Sequence, residues 1–341
     1  MSSAVLQAPG TVSPSPEQPG GPGEKRSHES GRRAGGPARF IVNRVAYSIA
    51  ILAVATTVVF FIFYVLGDPT DHILGESASD AQRAAFRAAR GFDDPIAAQL
   101  GRFLKNAATF QFGQSYTLGR MAVTVVFETL PRTLMLAATA FLIAATCGTV
   151  LGALAAFRGG VVDRIIVLVS TAISSVAEFW VGLLLVIVVA VQFGLLPTSG
   201  YGFPREIILP AVTLALAPMG RIAFVIRANM LVALESPHVC PALARGLSQR
   251  AVLIKHVLRN ASLPSIAVGG MELTRMVVGG SVVVESVFAW PGMGLLFLQA
   301  MKTYDLPVVT ATIFVGAIFV LVLNILLDLL YARIDHRVEY N

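Results

Sequence analysis

Six long apolar runs separated by polar segments organise most of the chain. Residues 45–67 hold 23 consecutive positions without Asp, Glu, Lys or Arg, and residues 133–157 form a second uncharged run of 25. A third run, 165–193, is interrupted only by Glu178. The fourth, 207–234, contains Arg221 and Arg227; the fifth, 261–287, contains Glu272, Arg275 and Glu285; the sixth, 306–331, has Asp328 near its end. About 20 helical residues at 1.5 Å each cross the ~30 Å of bilayer hydrocarbon. The pattern predicts an all-α integral membrane protein with six transmembrane helices.

The flanking segments are a different material. Residues 1–38 mix Pro9, Pro14, Pro16, Pro19, Pro22 and Pro37 with Gly, Ser and Thr and show no apolar period. Such a tract buries too little surface to offset chain entropy, so a disordered cytoplasmic tail is expected there and a transmembrane domain over 39–341. The outer segment 68–130 has helical punctuation. Ser79-Asp80-Ala81-Gln82 has capping-box spacing and Gly91 follows Arg90 as a stop. Asp94-Pro95 reads as an N-cap with proline at the first helical position. A small helical extracytoplasmic subdomain between helices 1 and 2 is expected.

Composition narrows the class. The 341 residues are 55% hydrophobic and 13% charged, against about 25% charged in soluble domains. Mean hydropathy is +0.72. The net charge of +6 reads as membrane-protein loops rather than a nucleic-acid surface. With the N-terminus inside, 16 basic residues fall on inner segments and 9 on outer ones. Seven of the nine lie in the single stretch 83–132, where the charge rule weakens. Both termini are therefore expected in the cytoplasm. Cys147 and Cys240 are placed in a span and in an inner loop, which suggests no disulfide.

The inner segment 228–260 carries a short helical pattern, Pro241-Ala242-Leu243-Ala244-Arg245-Gly246, followed by Leu247 and a basic half ending Leu258-Arg259-Asn260-Ala261-Ser262-Leu263-Pro264. Here the chain resembles the first-permease subunits of ABC importers of the dipeptide/oligopeptide/nickel family. Other segments match that family in order: Thr129-Leu130-Pro131-Arg132-Thr133-Leu134, Phe179-Trp180-Val181-Gly182-Leu183, Leu196-Pro197-Thr198-Ser199-Gly200-Tyr201-Gly202, Val283-Val284-Glu285-Ser286-Val287-Phe288-Ala289-Trp290-Pro291-Gly292-Met293-Gly294, and Asp328-Leu329-Leu330-Tyr331. The likeness covers about residues 40–340.

The resemblance implies a type I ABC importer permease in a bacterial inner membrane, forming half of a path for di- or oligopeptides. Its implied partners are a homologous second permease, two ATPase subunits or domains, and an external binding protein, within the lipid bilayer and without nucleic acid. Ala242, Ala244, Arg245, Gly246 and Leu247 would dock the ATPases. ATP and Mg would sit on those partners, with no cofactor and no catalysis on this chain. The chain departs from the family at Pro237 and Pro241, which restrict the approach to the coupling helix. It departs again at Val176-Ala177-Glu178, where a helix-distorting proline is replaced and a carboxylate gained.

Isolated charges at mid-membrane cost at least ~2.5–3.5 kcal/mol each, so they face partners or a wet cavity. Glu178 lies 14 residues beyond Arg164, and Arg275 lies 14 beyond Ala261, which puts both about 21 Å from the inner boundary. Glu272 precedes Arg275 by one turn. Glu178, Glu272 and Arg275, with Glu285 further along the same run, are therefore the candidates for an ionic cluster at the translocation path or for a structural ion pair. No P-loop occurs, and all five histidines lie outside the spans. An ion-coupled secondary carrier using Glu178 and Arg275 would show inverted halves, which the sequence lacks. A non-transporting scaffold, and importers of nickel chelates or other small solutes, are the remaining alternatives.

Overall fold

The computed structural model describes residues 37–66, 70, 74, 78–234 and 259–334, and among them the membrane-length segments are helical apart from a break at Val176 and Ala177. Helix α1 is Pro37–Leu66. Two amphipathic helices follow, α2 at Asp80–Arg90 and α3 at Ile96–Ala108. Helix α4 is Ala122–Arg158, and α5 is Gly160–Ser175. Helix α6, Glu178–Leu185, continues into a π-helical stretch at Val186–Gln192. Helix α7 is Ile208–Leu234. Helix α8, Arg259–Arg275, passes through a π-helical stretch at Met276–Gly280 into α9, Ser281–Val287. Helices α10, Met293–Lys302, and α11, Leu306–Ile334, complete the order among the described residues.

Among the described residues, five helices are long and apolar enough to cross a membrane, and α5 with α6 makes a sixth span if the bent pair counts as one. Of the expected tail 1–38, residues 1–36 lie outside the described residues, as does the end of the chain from 335, while Pro37 and Ala38 already belong to α1.

The outer subdomain begins as the capping signals predict. The Ser79 hydroxyl accepts from the Gln82 amide, the Gln82 side chain accepts from the Ser79 amide, and Gly91 closes α2 at φ 66°. The start of α3 differs. Pro95, rather than Asp94, is the N-cap residue, and no side chain caps it. Asp94 instead pairs with Arg102 at 2.6 Å, which links the turn to the second turn of α3. The end of the expected subdomain also differs. Residues 122–130 belong to α4, which at 37 residues is about 55 Å long and projects well beyond the hydrocarbon. Pro131 stands inside this helix without ending it.

Helix α7 is the centre of the bundle, with 61% of its apolar window buried against 12% in α1 and 11% in α11. Helix α4 packs closest to it. A Cβ at Gly148 would lie 2.8 Å from the Met219 carbonyl, and one at Gly152 would overlap the Ala223 carbonyl. This Gly-x3-Gly spacing lets two backbones touch where lipid supplies no hydrophobic drive for association. The core around this contact includes Leu136, Ala140, Leu214, Ile226, Met230 and Phe288.

The third span is not the straight helix its apolar run suggests. It bends by 102° between α5 and α6, with Val176 and Ala177 extended. The lost proline therefore does not straighten the chain. Contacts on α7 explain the bend. Gly220 receives α5 at Ser170 and Ser174, and Thr213 receives α6 at Gly182. Those two points on α7 are seven residues, about 10.5 Å, apart. The twelve residues from Ser170 to Gly182 would run about 18 Å as one straight helix, so the break reconciles the two lengths.

Candidate functional site

The charges at membrane depth assemble around α7. Arg221 forms a two-pronged bond with Glu272 of α8, Nε to Oε1 at 2.7 Å and Nη2 to Oε2 at 2.6 Å. Glu272 is 2% exposed. Two parallel N–H···O bonds use both carboxylate oxygens and fix the geometry as well as the charge. Arg275, one turn along α8, reaches Glu272 only at 3.5 Å, and its side chain is 62% exposed.

Glu178 opens α6 immediately after the break, half-buried. Arg221 and Glu272 are the charges that act on it. Its carboxylate rests over bare backbone, for a Cβ at Gly280 would lie 3.1 Å from Oε2. The structure thus brings Glu178 and Arg275 each beside Glu272, with Arg221 as the principal partner of Glu272. Arg221 reads in the sequence as a basic residue marking the inner side. Its i+51 relation to Glu272 left no local spacing that would reveal the pair.

Glu285 lies elsewhere and is fully buried. Its Oε1 accepts from the Thr133 hydroxyl at 2.7 Å, and its Oε2 accepts from the amides of Gly294 at 2.7 Å and Leu295 at 3.0 Å. The first amides of a helix have no intrahelical partner, and Gly292 offers α10 no capping side chain. Glu285 supplies that cap from seven residues before Gly292 while joining α10 to α4. Thr133 closes the knot by accepting from the Met293 amide at 2.7 Å.

Four of the segments that carry the family likeness converge on this knot. The Trp290 indole donates to the Arg132 carbonyl at 3.1 Å, and Arg132 donates to the Pro291 carbonyl at 3.2 Å. The Arg132 guanidinium lies 5.1 Å from the Tyr201 ring centroid, and Tyr201 meets Trp290 edge-on at 5.0 Å. Phe288 also packs beside Gly182. Four sequence stretches separated by up to 160 residues therefore build one tertiary joint.

A second joint fastens the outer loop. Asp305 is fully buried and accepts from the Ser115 hydroxyl and from the Thr117 amide and hydroxyl. It also accepts from the Val308 amide at 3.4 Å, capping α11. On the opposite side, Arg227 of α7 forks onto Asp163 in the first turn of α5, with Nη2 to Oδ2 at 2.6 Å. The amide of Asn229 on α7 lies 3.5 Å from the Ser265 hydroxyl on α8. These contacts tie together the two helices that bracket residues 235–258. The expected coupling residues Ala242, Ala244, Arg245, Gly246 and Leu247, with Pro237 and Pro241, lie within that stretch, outside the described residues.

Comparison with known proteins follows the same span. Residues 148–340 match the family model described as binding-protein-dependent transport system inner membrane component, and residues 38–137 match the model of its N-terminal region. A putative peptide transport system permease protein of Brucella abortus is 36% identical over 312 residues, covering 88% of this chain and 99% of the relative. The oligopeptide transport system permease protein AppB of Bacillus subtilis is 35% identical over 316 residues, 89% of this chain and all of the relative. The glutathione transport system permease protein GsiC of Escherichia coli is 31% identical over 303 residues, 88% and 99%. With a family model matching more than half its length and relatives aligned end to end, the chain belongs to the binding-protein-dependent transport system inner membrane components, as a permease subunit of an ABC importer.

Proposed function

We propose that the chain forms half of the translocation path for short peptides, opened and closed by ATPases on separate chains. The observation that carries this reading is the end-to-end alignment with relatives named as peptide permeases. The reading has both termini in the cytoplasm, a homologous second permease across the path, and a binding protein delivering solute from outside. ATP and Mg belong to the partner subunits. Ala242 to Leu247 are the residues that an ATPase groove receives. The forks on Arg221 and Arg227 support this, since they make the helices flanking residues 235–258 move as one body with α5. Closure of the ATPases then becomes a rigid-body rocking of the permeases.

The test is co-purification in mild detergent followed by reconstitution. A tagged chain should bring a homologous permease and ATPases, and proteoliposomes should take up tri-alanine only with ATP and a loaded binding protein. Uptake by this chain alone, without nucleotide, would overturn the reading. An Arg245→Glu change should retain the second permease and lose ATPase association.

A further inference from the structure

The charges at membrane depth divide into two kinds. Glu272 is satisfied within the chain, with both oxygens on Arg221 and almost no exposed surface. Arg275 is different. A guanidinium has five N–H donors, and among the described residues this one makes a single contact, at 3.5 Å, with most of its side chain exposed. Glu178 makes no hydrogen bond or close ion pair among the described residues, and it is only half-buried. Room for its carboxylate is provided by the missing side chain at Gly280.

The backbone around both groups is irregular. Glu178 follows the 102° break, and Arg275 is the last residue before the π-helical stretch that ends at Gly280. Irregular backbone at bilayer depth persists where it is covered by protein or lines a wet cavity. Val176 and Gly279 are exposed, so no other part of this chain covers the backbone there. Ionised groups at that depth also need a partner or water. The chain thus holds one cationic and one anionic group with spare capacity, both beside the same fixed fork.

We infer that Glu178 and Arg275 form a two-point solute site, with Glu178 taking an ammonium group and Arg275 a carboxylate, and with the Arg221–Glu272 fork as the fixed post beside both. A short peptide presents that chemistry at neutral pH, with an α-amino group of pKa about 7.7–8.0 and an α-carboxyl of about 3.3–3.7. The occupant as a peptide rests on the importer reading above; the pairing of charges does not. Net neutrality of the four side chains favours a zwitterion over a singly charged solute.

The experiment uses the assembled importer in proteoliposomes with saturating loaded binding protein. Tri-alanine, its N-acetyl form and its C-terminal amide are compared. Glu178→Gln should slow tri-alanine and the amide about tenfold and change N-acetyl tri-alanine little. Arg275→Gln should slow tri-alanine and the N-acetyl form about tenfold and change the amide little. Glu178→Asp and Arg275→Lys keep the charge and should restore most of the rate, which separates recognition from failed assembly. The inference is overturned if each variant slows all three solutes by one factor, the result expected of a salt bridge to the second permease, or if none responds. A wild-type importer that takes up none of the three refutes the peptide reading instead.

Discussion

Replacing Glu285 by alanine tests whether this carboxylate is the latch of the outer joint. It accepts three hydrogen bonds, from the Thr133 hydroxyl and from the amides of Gly294 and Leu295, at 2.7 to 3.0 Å and with no solvent exposure. A hydrogen bond to a charged group contributes about 1.5–3 kcal/mol, but bonds sharing one acceptor are not additive. Truncation leaves three donors without their acceptor at about 1–3 kcal/mol each, and with less than full additivity a loss of about 3–5 kcal/mol is expected. At about 2 °C per kcal/mol for a chain of this size, Glu285→Ala should lower the melting temperature in detergent by about 6–10 °C. Glu285→Gln should fall between, because its amide nitrogen cannot accept from the backbone N–H groups of α10. Thr133→Val removes the donor to Glu285 and the acceptor for Met293. The double variant should therefore lose less than the two single losses combined. A Glu285→Ala protein melting within about 2 °C of wild type, or strict additivity with Thr133→Val, would refute the latch.

Other contacts give equally direct expectations. Arg221→Met leaves the buried Glu272 without its main partner and should destabilise by about 3–5 kcal/mol; Arg275→Met should cost at most about 1 kcal/mol, as an exposed pair does, and thermal melting separates the two. Gly152→Leu drives a side chain into the α7 backbone and should cost about 1–3 kcal/mol or more, whereas Gly101→Ala, with nothing within 4 Å of the new Cβ, should be neutral or stabilise α3 by about 0.5–1 kcal/mol. Asp305→Ala releases Ser115 and Thr117, and limited proteolysis should then cut between residues 109 and 121 faster than in wild type. Asp163→Asn should weaken the Arg227 fork, lowering uptake per ATP hydrolysed in the reconstituted importer while binding-protein affinity stays constant.

Much of the architecture is legible because it is local. An uncharged run longer than the bilayer is thick has few alternatives to a helix, since lipid offers no partner for backbone amides. The start and stop of α2 are equally local, a capping box and a glycine in the left-handed region. Boundaries failed where the deciding force came from elsewhere. Residues 122–130 contain Glu128 and precede Pro131, so they read as an outer segment. They are helical because α4 continues outward to meet the rest of the fold, with Ala122 and Val126 buried in the cluster around Val308 and Ala311.

The sequence by itself determined the medium, the number of spans and the presence of charges that must find partners, because these follow from hydropathy and from the cost of burying an ion. Tertiary structure decided which partner each charge took. Arg221 and Glu272 are 51 residues apart, Arg227 and Asp163 are 64 apart, and Thr133 and Glu285 are 152 apart. No helical period relates such positions; they meet only through tertiary packing, of which the glycine contacts that set α4, α5 and α6 against α7 are one part. The 102° break has the same origin, for the length between two docking points on α7, rather than any residue at the break, fixes where the third span turns.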